Sequence, residues 1–237
     1  MTLQKLTLVG LVLSSLSLAV PHVSKADHLS RFAANITQLN NSGASGLAML
    51  TVDSTAMTLT VQVDAVGLEP DVDHLMHIHG LLGGDGSSGN PALDSQTPTL
   101  ADDADGDGFI EVLEGLPRYG DIILTLGTMN TPTGSFSYNE VFDLTDDSLF
   151  GSPVSGADYV AADLMPLDFR EIVIHGLSVD GTAGAGTMGE VDGTPGFKLV
   201  LPAAAGELVA VPEPTSLTLL GLAIAGLAAA RYRRQIC

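Results

Sequence analysis

Two segments of this chain carry residue types whose spacing can do chemistry, and both point to metal ions. The first runs from Asp103 to Glu114. It places carboxylates at loop positions 1, 3 and 5 (Asp103, Asp105, Asp107), a glycine at 6 (Gly108), a carbonyl donor at 7 (Phe109), an acid able to act through water at 9 (Glu111) and a bidentate carboxylate at 12 (Glu114). Oxygen ligands in that order suit a hard cation, so Ca2+ is the expected occupant, with Ile110 at position 8 turned into the core. The flanks differ from a helix-loop-helix calcium hand, because Pro98 crowds the entry while Gly115 and Pro117 oppose an exiting helix. A loop so flanked is expected to bind calcium in the weak, extracellular regime. The alternative is an acidic turn that only ends a strand.

The second segment is Asp73-His74-Leu-Met-His77-Ile-His79-Gly80, echoed later by Arg170-Glu171-Ile-Val-Ile-His175-Gly176. On a strand, His77 and His79 project to one face and His74 to the other. With His175 as third ligand, three neutral imidazoles would suit Cu2+ or Zn2+. Histidines spaced this way also serve as plain core residues that bond to loops, and both readings stand at this stage.

The elements that must position these groups have a period of two. Gly46–Val52 and Ala56–Val63 alternate apolar and polar residues around a short polar link and read as a hairpin. Further strands are expected at Leu75–His79, Phe109–Leu113, Asp121–Leu126, Ser135–Phe142, Glu171–Leu177 and Phe197–Leu201. Glycine and proline punctuate the gaps, no convincing amphipathic helix is present, and one helical turn is expected near Ala157–Leu164, ended by Pro166. The expected class is all-β, and the pattern reads as an antiparallel β-sandwich or partly closed barrel. The glycine-rich stretch Leu81–Asn90 lacks the lysine and following helix of a phosphate cradle and reads as a long connection able to cover the histidine end. Glu140, Asp143, Asp146, Asp147, Asp158 and Asp163 read as solvated acids.

The chain ends frame this domain. Residues 1–26 have Lys5, an apolar stretch from Leu6 to Val20 and the small-residue site Ser24-Lys25-Ala26, the layout of a signal peptide, so the mature chain is expected to start at Asp27. Residues 27–210 then form one domain. Residues 211–237 place Val211-Pro-Glu-Pro-Thr-Ser before an apolar run from Leu217 to Ala230 and a basic cluster at Arg231, Arg233 and Arg234. The run is short of the roughly 20 residues of a permanent span, and the arginines would stay on the cytoplasmic side. The order resembles the PEP-CTERM sorting tail. That resemblance implies recognition by an exosortase, with signal peptidase acting at the other end, a transient inner-membrane anchor and delivery to the cell surface or extracellular matrix of a Gram-negative-type bacterium.

Without its two ends the domain keeps 27 acidic residues against Arg31, Arg118, Arg170 and Lys198, a formal charge of −23. Such a surface repels phosphate backbones, so nucleic acid is excluded as a partner, and divalent cations or an extracellular polysaccharide or matrix are favoured. The sole cysteine, Cys237, lies on the tail, so no disulfide can brace the domain.

The run from Phe32-Ala-Ala-Asn through Gly46-Leu-Ala-Met-Leu-Thr-Val and Ala65-Val-Gly-Leu to His77-Ile-His79-Gly80 resembles the opening half of a CHRD domain. That resemblance implies an exported antiparallel β-sandwich of immunoglobulin-like or superoxide dismutase-like Greek-key type, and a non-catalytic, calcium-binding surface module is the first expectation. Gly67-Leu-Glu-Pro, His77-Ile-His79 and Arg170-Glu-Ile-Val-Ile-His175-Gly are distantly similar to copper/zinc superoxide dismutase strands that deliver three copper ligands. This alternative reads the chain as a copper metalloprotein. No histidine lies between Gly80 and Glu171, so the bridging and zinc histidines of that family are missing, and dismutation is not expected.

Overall fold

The computed structural model describes residues 28–212 and 219–227. Ten strands form one all-antiparallel sheet that folds into two layers. One layer holds β1 (Leu29–Gln38), β2 (Ser45–Asp53), β3 (Thr58–Val66) and β7 (Ser135–Asp143). The other holds β6 (Asp121–Asn130), β4 (Asp73–Leu82), β8 (Arg170–Val179) and β9 (Gly196–Glu207). Two short strands, β5 (Ala92–Leu93) and β10 (Val209–Ala210), extend β4 and flank β1. The layers join where β1 leaves β2 after Ile36 and its last residues, Thr37 and Gln38, pair with β9. Because β3 and β4, and again β6 and β7, follow each other in sequence but lie in different layers, the path is a Greek-key sandwich.

Alternation explains the main core. Ala48 and Leu50 of β2 and Leu59, Val61 and Val63 of β3 face Met76 and Ile78 of β4 and Ile172 and Ile174 of β8, all at most 1 % exposed. The opposite face of β4 and β8 carries His77, His79, Glu171, Val173 and His175, and these too are closed off from water. The excursion between β5 and β6 covers it. Ile110 and the Tyr119 ring pack with Leu39, Val173 and Ala205 in a second, smaller core. Asn40 fixes the cover, its Oδ1 accepting from Ile110 N at 2.7 Å while its Nδ2 donates to Ile110 O and Pro202 O at 2.9 Å. Ile110→Ala is expected to cost about 2–4 kcal/mol, the penalty of a buried cavity. Hydrogen exchange should quicken over residues 100–120 and stay unchanged in the β2–β3 hairpin.

The cover corrects two expectations. Phe109–Leu113 is not a strand, and an exiting helix does form: α1 spans Val112–Tyr119. Pro117 removes one intrahelical donor, but Glu114 Oε2 accepts from Glu111 N at 3.0 Å and caps the start, and burial of Tyr119 and Gly115 holds the rest. Gly115 is required there, since a Cβ would overlap the Tyr119 ring. Strand β1 was not anticipated, because its polar residues blur the alternation and its place comes from neighbours on both edges. The turn expected near Ala157–Leu164 is a 3-10 turn at Ala161–Leu164.

Asp163 corrects the solvated-acid reading. It is 5 % exposed and accepts from Ser88 Oγ and from the backbone N–H groups of Gly89 and Val160. The glycine-rich connection is thereby tied to the Ala161–Leu164 turn. The expected signal peptide lies outside the described residues, as do residues 213–218 and 228–237 of the tail. Residues 219–227 are helical and exposed, and among the described residues no helix is long and apolar enough to cross a membrane.

Candidate metal centre

His77, His79 and His175 come together. Each offers one ring nitrogen, and the three lie within 4.8 Å of one another. The bonds of a first-row ion to imidazole are about 2 Å, so ligand nitrogens around one ion stand at most about 4 Å apart, and closing the set needs shifts of less than an ångström. The strands achieve this through irregularities. The β4–β6 register shifts between Met76 and His77 and again between Ile78 and His79, and the β8–β9 register shifts on both sides of His175. Such bulges re-aim side chains. Gly176, directly after His175, has φ +112°, and a Cβ there would meet His74 Nδ1 and the Phe197 ring.

The hydrogen bonding separates these three rings from ordinary core histidines. His79 Nδ1 faces Gly120 O at 3.0 Å and His175 Nδ1 faces Val200 O at 2.6 Å. A carbonyl only accepts, so both rings carry their proton on Nδ1 and turn an Nε2 lone pair inward. These two Nε2 atoms and His77 Nδ1 are buried with no partner. Buried polar atoms are nearly always bonded; three imidazole nitrogens orphaned on one face, two of them lone pairs by tautomer, are what a bound cation would satisfy. By contrast, both nitrogens of His74 are occupied by backbone carbonyls, of His175 and Glu69, so it stays outside the set.

Burial keeps the rings neutral. It pushes His77 down to about 4. His175 falls to about 3 through burial and then the nearby His77, against the opposing bond to Val200. His79 is held well below its ordinary value by burial first and by its two histidine neighbours. Lone pairs are therefore free of protons at neutral pH. The Tyr119 ring stands 4.6 Å from that of His79, between centroids, and shields it.

Glu171 shares this face, opposite His79 in the β4–β8 register, and was not singled out as a site residue. It is fully buried; one oxygen accepts from Thr97 Oγ1 and the other has no partner. Burial, with Glu207 adding repulsion against the Thr97 bond, lifts its carboxyl to about 8. No spacing signal in the sequence marks it.

At the acidic loop only Asp103, Asp105 and Glu114 bring carboxylate oxygens within 4.8 Å of one another. Asp107 and Glu111 fall outside this group. Asp107 Oδ1 accepts from Phe109 N at 2.8 Å, and Glu111 is turned onto Val191 N, 4 % exposed, where burial lifts its carboxyl to about 7. Asp103 draws in Gly106 N and Gly108 N, and Glu114 Oε1 draws in Ala104 N at 2.7 Å, so the loop is wound tightly around its own carboxylates. Glu114 also sits in the first turn of α1, and the opposite end of that helix meets Gly120, the partner of His79.

The family model of the CHRD domain matches residues 32–142. This chain carries a CHRD domain. The match runs from β1 to the end of β7 and contains His77, His79 and the acidic loop, whereas His175 stands on β8 beyond it. The CHRD domain is a β-sandwich, in keeping with the two layers above. Residues 210–234 match the PEP-CTERM protein-sorting motif. With the CHRD domain it supports an exported, extracytoplasmic protein of Gram-negative-type bacteria, processed by an exosortase. No curated protein matches the chain.

Proposed function

We propose that this exported CHRD protein is a copper-holding module of the cell surface or matrix, with His77, His79 and His175 as ligands. The observation that carries the reading is the set of three buried, unpartnered imidazole nitrogens on one sheet face. Neutral nitrogen donors with no carboxylate among them favour copper over the harder ions, and copper binds most tightly of the divalent first-row series. Bound copper would supply a one-electron redox centre. The chain's own contribution is fixation: Gly120 O and Val200 O hold two tautomers, and Tyr119 and Ile110 keep water away. Superoxide dismutation is not proposed. The acidic surface repels an anion, and Arg170, 1 % exposed, is spent on the carbonyls of Leu93, Asp163, Leu164, Met165 and Phe169. Elemental analysis of the exported protein should return one copper per chain with nitrogen coupling in the electron spin resonance spectrum. Protein that stays free of copper and zinc after exposure to either ion refutes the reading.

The acidic loop supports a second reading, calcium binding, through the convergence of Asp103, Asp105 and Glu114. Calcium at about ten times its Kd should stabilise the domain by about 1–2 kcal/mol, a rise in Tm of a few degrees. Glu114→Gln is expected to remove that rise while leaving the copper content at one per chain. A rise that survives the substitution assigns the effect to another site.

A further inference from the structure

Beside His79 a cleft of about 590 Å³ opens between α1, the end of β4 and the loop around Val154–Tyr159. We infer that it binds a neutral, flat, apolar small molecule. The proposal stands on the cleft alone and needs no ion at the histidines.

Three observations set the chemistry of the occupant. First, three exposed apolar side chains converge on one concave surface: Leu113 is 74 % exposed, Val154 66 % and Leu116 36 %, and all three line the cleft, with Leu82, Ile122 and Ala157 deeper in. An exposed apolar surface that is also concave marks a ligand site. Second, the polar groups in the walls are already engaged. Asp121 accepts from Ser152 Oγ, Ser155 Oγ, Tyr159 OH and its neighbour's N–H; Tyr119 OH donates to Val112 O; and His79 Nδ1 is held by Gly120 O. A polar ligand would find no free donor in these groups, the unpartnered His79 Nε2 is itself buried away from solvent, and the ligand would lose its own hydration. Third, no lysine or arginine lines the cleft, Asp85 and Asp121 stand in its walls, and the chain carries a formal charge of −19. Fatty acids and other anionic amphiphiles therefore lack a counter-charge. The rings of Tyr119, Tyr159 and His79 favour an unsaturated, planar shape over a branched one. The volume falls within the range of about 300–1,000 Å³ usual for small-molecule sites.

Pyrene is neutral, flat and apolar, and its vibronic band ratio reports the polarity around it. Titrated into the full chain, it should show saturable binding at one site with an apolar band ratio. Ala157→Phe fills the cleft and Leu113→Gln makes its rim polar; each should weaken binding about tenfold, the effect of roughly 1.4 kcal/mol of lost apolar contact. Leu47→Gln removes another exposed apolar side chain, from β2 and outside the cleft, and should change nothing. Subtracting the Ala157→Phe titration removes any pyrene taken up by the apolar tail. Equal losses in all three variants, or no saturable difference between wild type and Ala157→Phe, overturn the inference. So does a chain that sediments as a dimer and admits pyrene only on dilution, since the cleft would then be covered by a second copy.

Discussion

His175→Ala is expected to lower the affinity of the exported protein for copper by more than about a hundredfold, since loss of even an outer partner of a ligand typically costs 10- to 100-fold. His175 is the sharpest probe of the three because it comes from β8, outside the span matched by the CHRD model, and is held by a carbonyl of β9. Copper titration followed by electron spin resonance checks the result. The metal-free variant adds a second arm. A buried imidazole with an unpaired Nε2 costs the apo fold stability, so the alanine variant should lose little when metal is absent and only the copper-dependent rise in Tm should vanish. A plain core histidine would behave the other way, with full copper uptake retained and a melting temperature several degrees lower. That outcome removes the copper reading.

Glu171→Gln is expected to make the metal-free protein markedly more stable than wild type in alkaline solution and no different in acid. Burial lifts the Glu171 carboxyl from 4.5 to about 8, so the folded chain holds a proton that the unfolded chain gives up above about 4.5. Between those values folding takes up a proton, and the stability that Glu171 allows at low pH is lost as the pH rises through 8. The full penalty is on the order of 4–5 kcal/mol at 1.36 kcal/mol per unit. Glutamine keeps the acceptor for Thr97 Oγ1 and has no charge to bury. The difference in Tm between variant and wild type should be near zero at pH 4.5, widen through neutrality and level off above about pH 8. A difference that does not change with pH would mean that Glu171 stays ionised in the fold, and its environment would have to be more polar than the packing around it indicates.

Much of the architecture was legible because a strand writes its burial every second residue. The β2–β3 hairpin, β4, β6, β7 and β8 all emerged from that alternation, and His77 and His79 fell on one face for the same reason. The calcium-type spacing from Asp103 to Glu114 was equally plain. Its consequence was misread: Phe109 to Leu113 looks apolar enough for a strand, and Gly115 and Pro117 look like breakers, yet α1 forms. The bond between Glu111 and Glu114, and the burial of Tyr119 against Val173 and Ala205, outweigh local propensity.

By itself, then, the sequence determined the all-β frame, the sorting motif at residues 210–234, the acidic surface and the identity of every candidate ligand, because periodicity, composition and motif order are local properties of a chain. Only the tertiary structure decided which ligands meet. Asp107 and Glu111 turn away from the loop cluster, His175 crosses to the β4 pair, and Gly120 O and Val200 O select the tautomers that leave two lone pairs unused. Strand register, bulges and the covering excursion set those relations, and each depends on partners far away in the chain. The burial that strips Glu171 and the three histidines of water has the same origin.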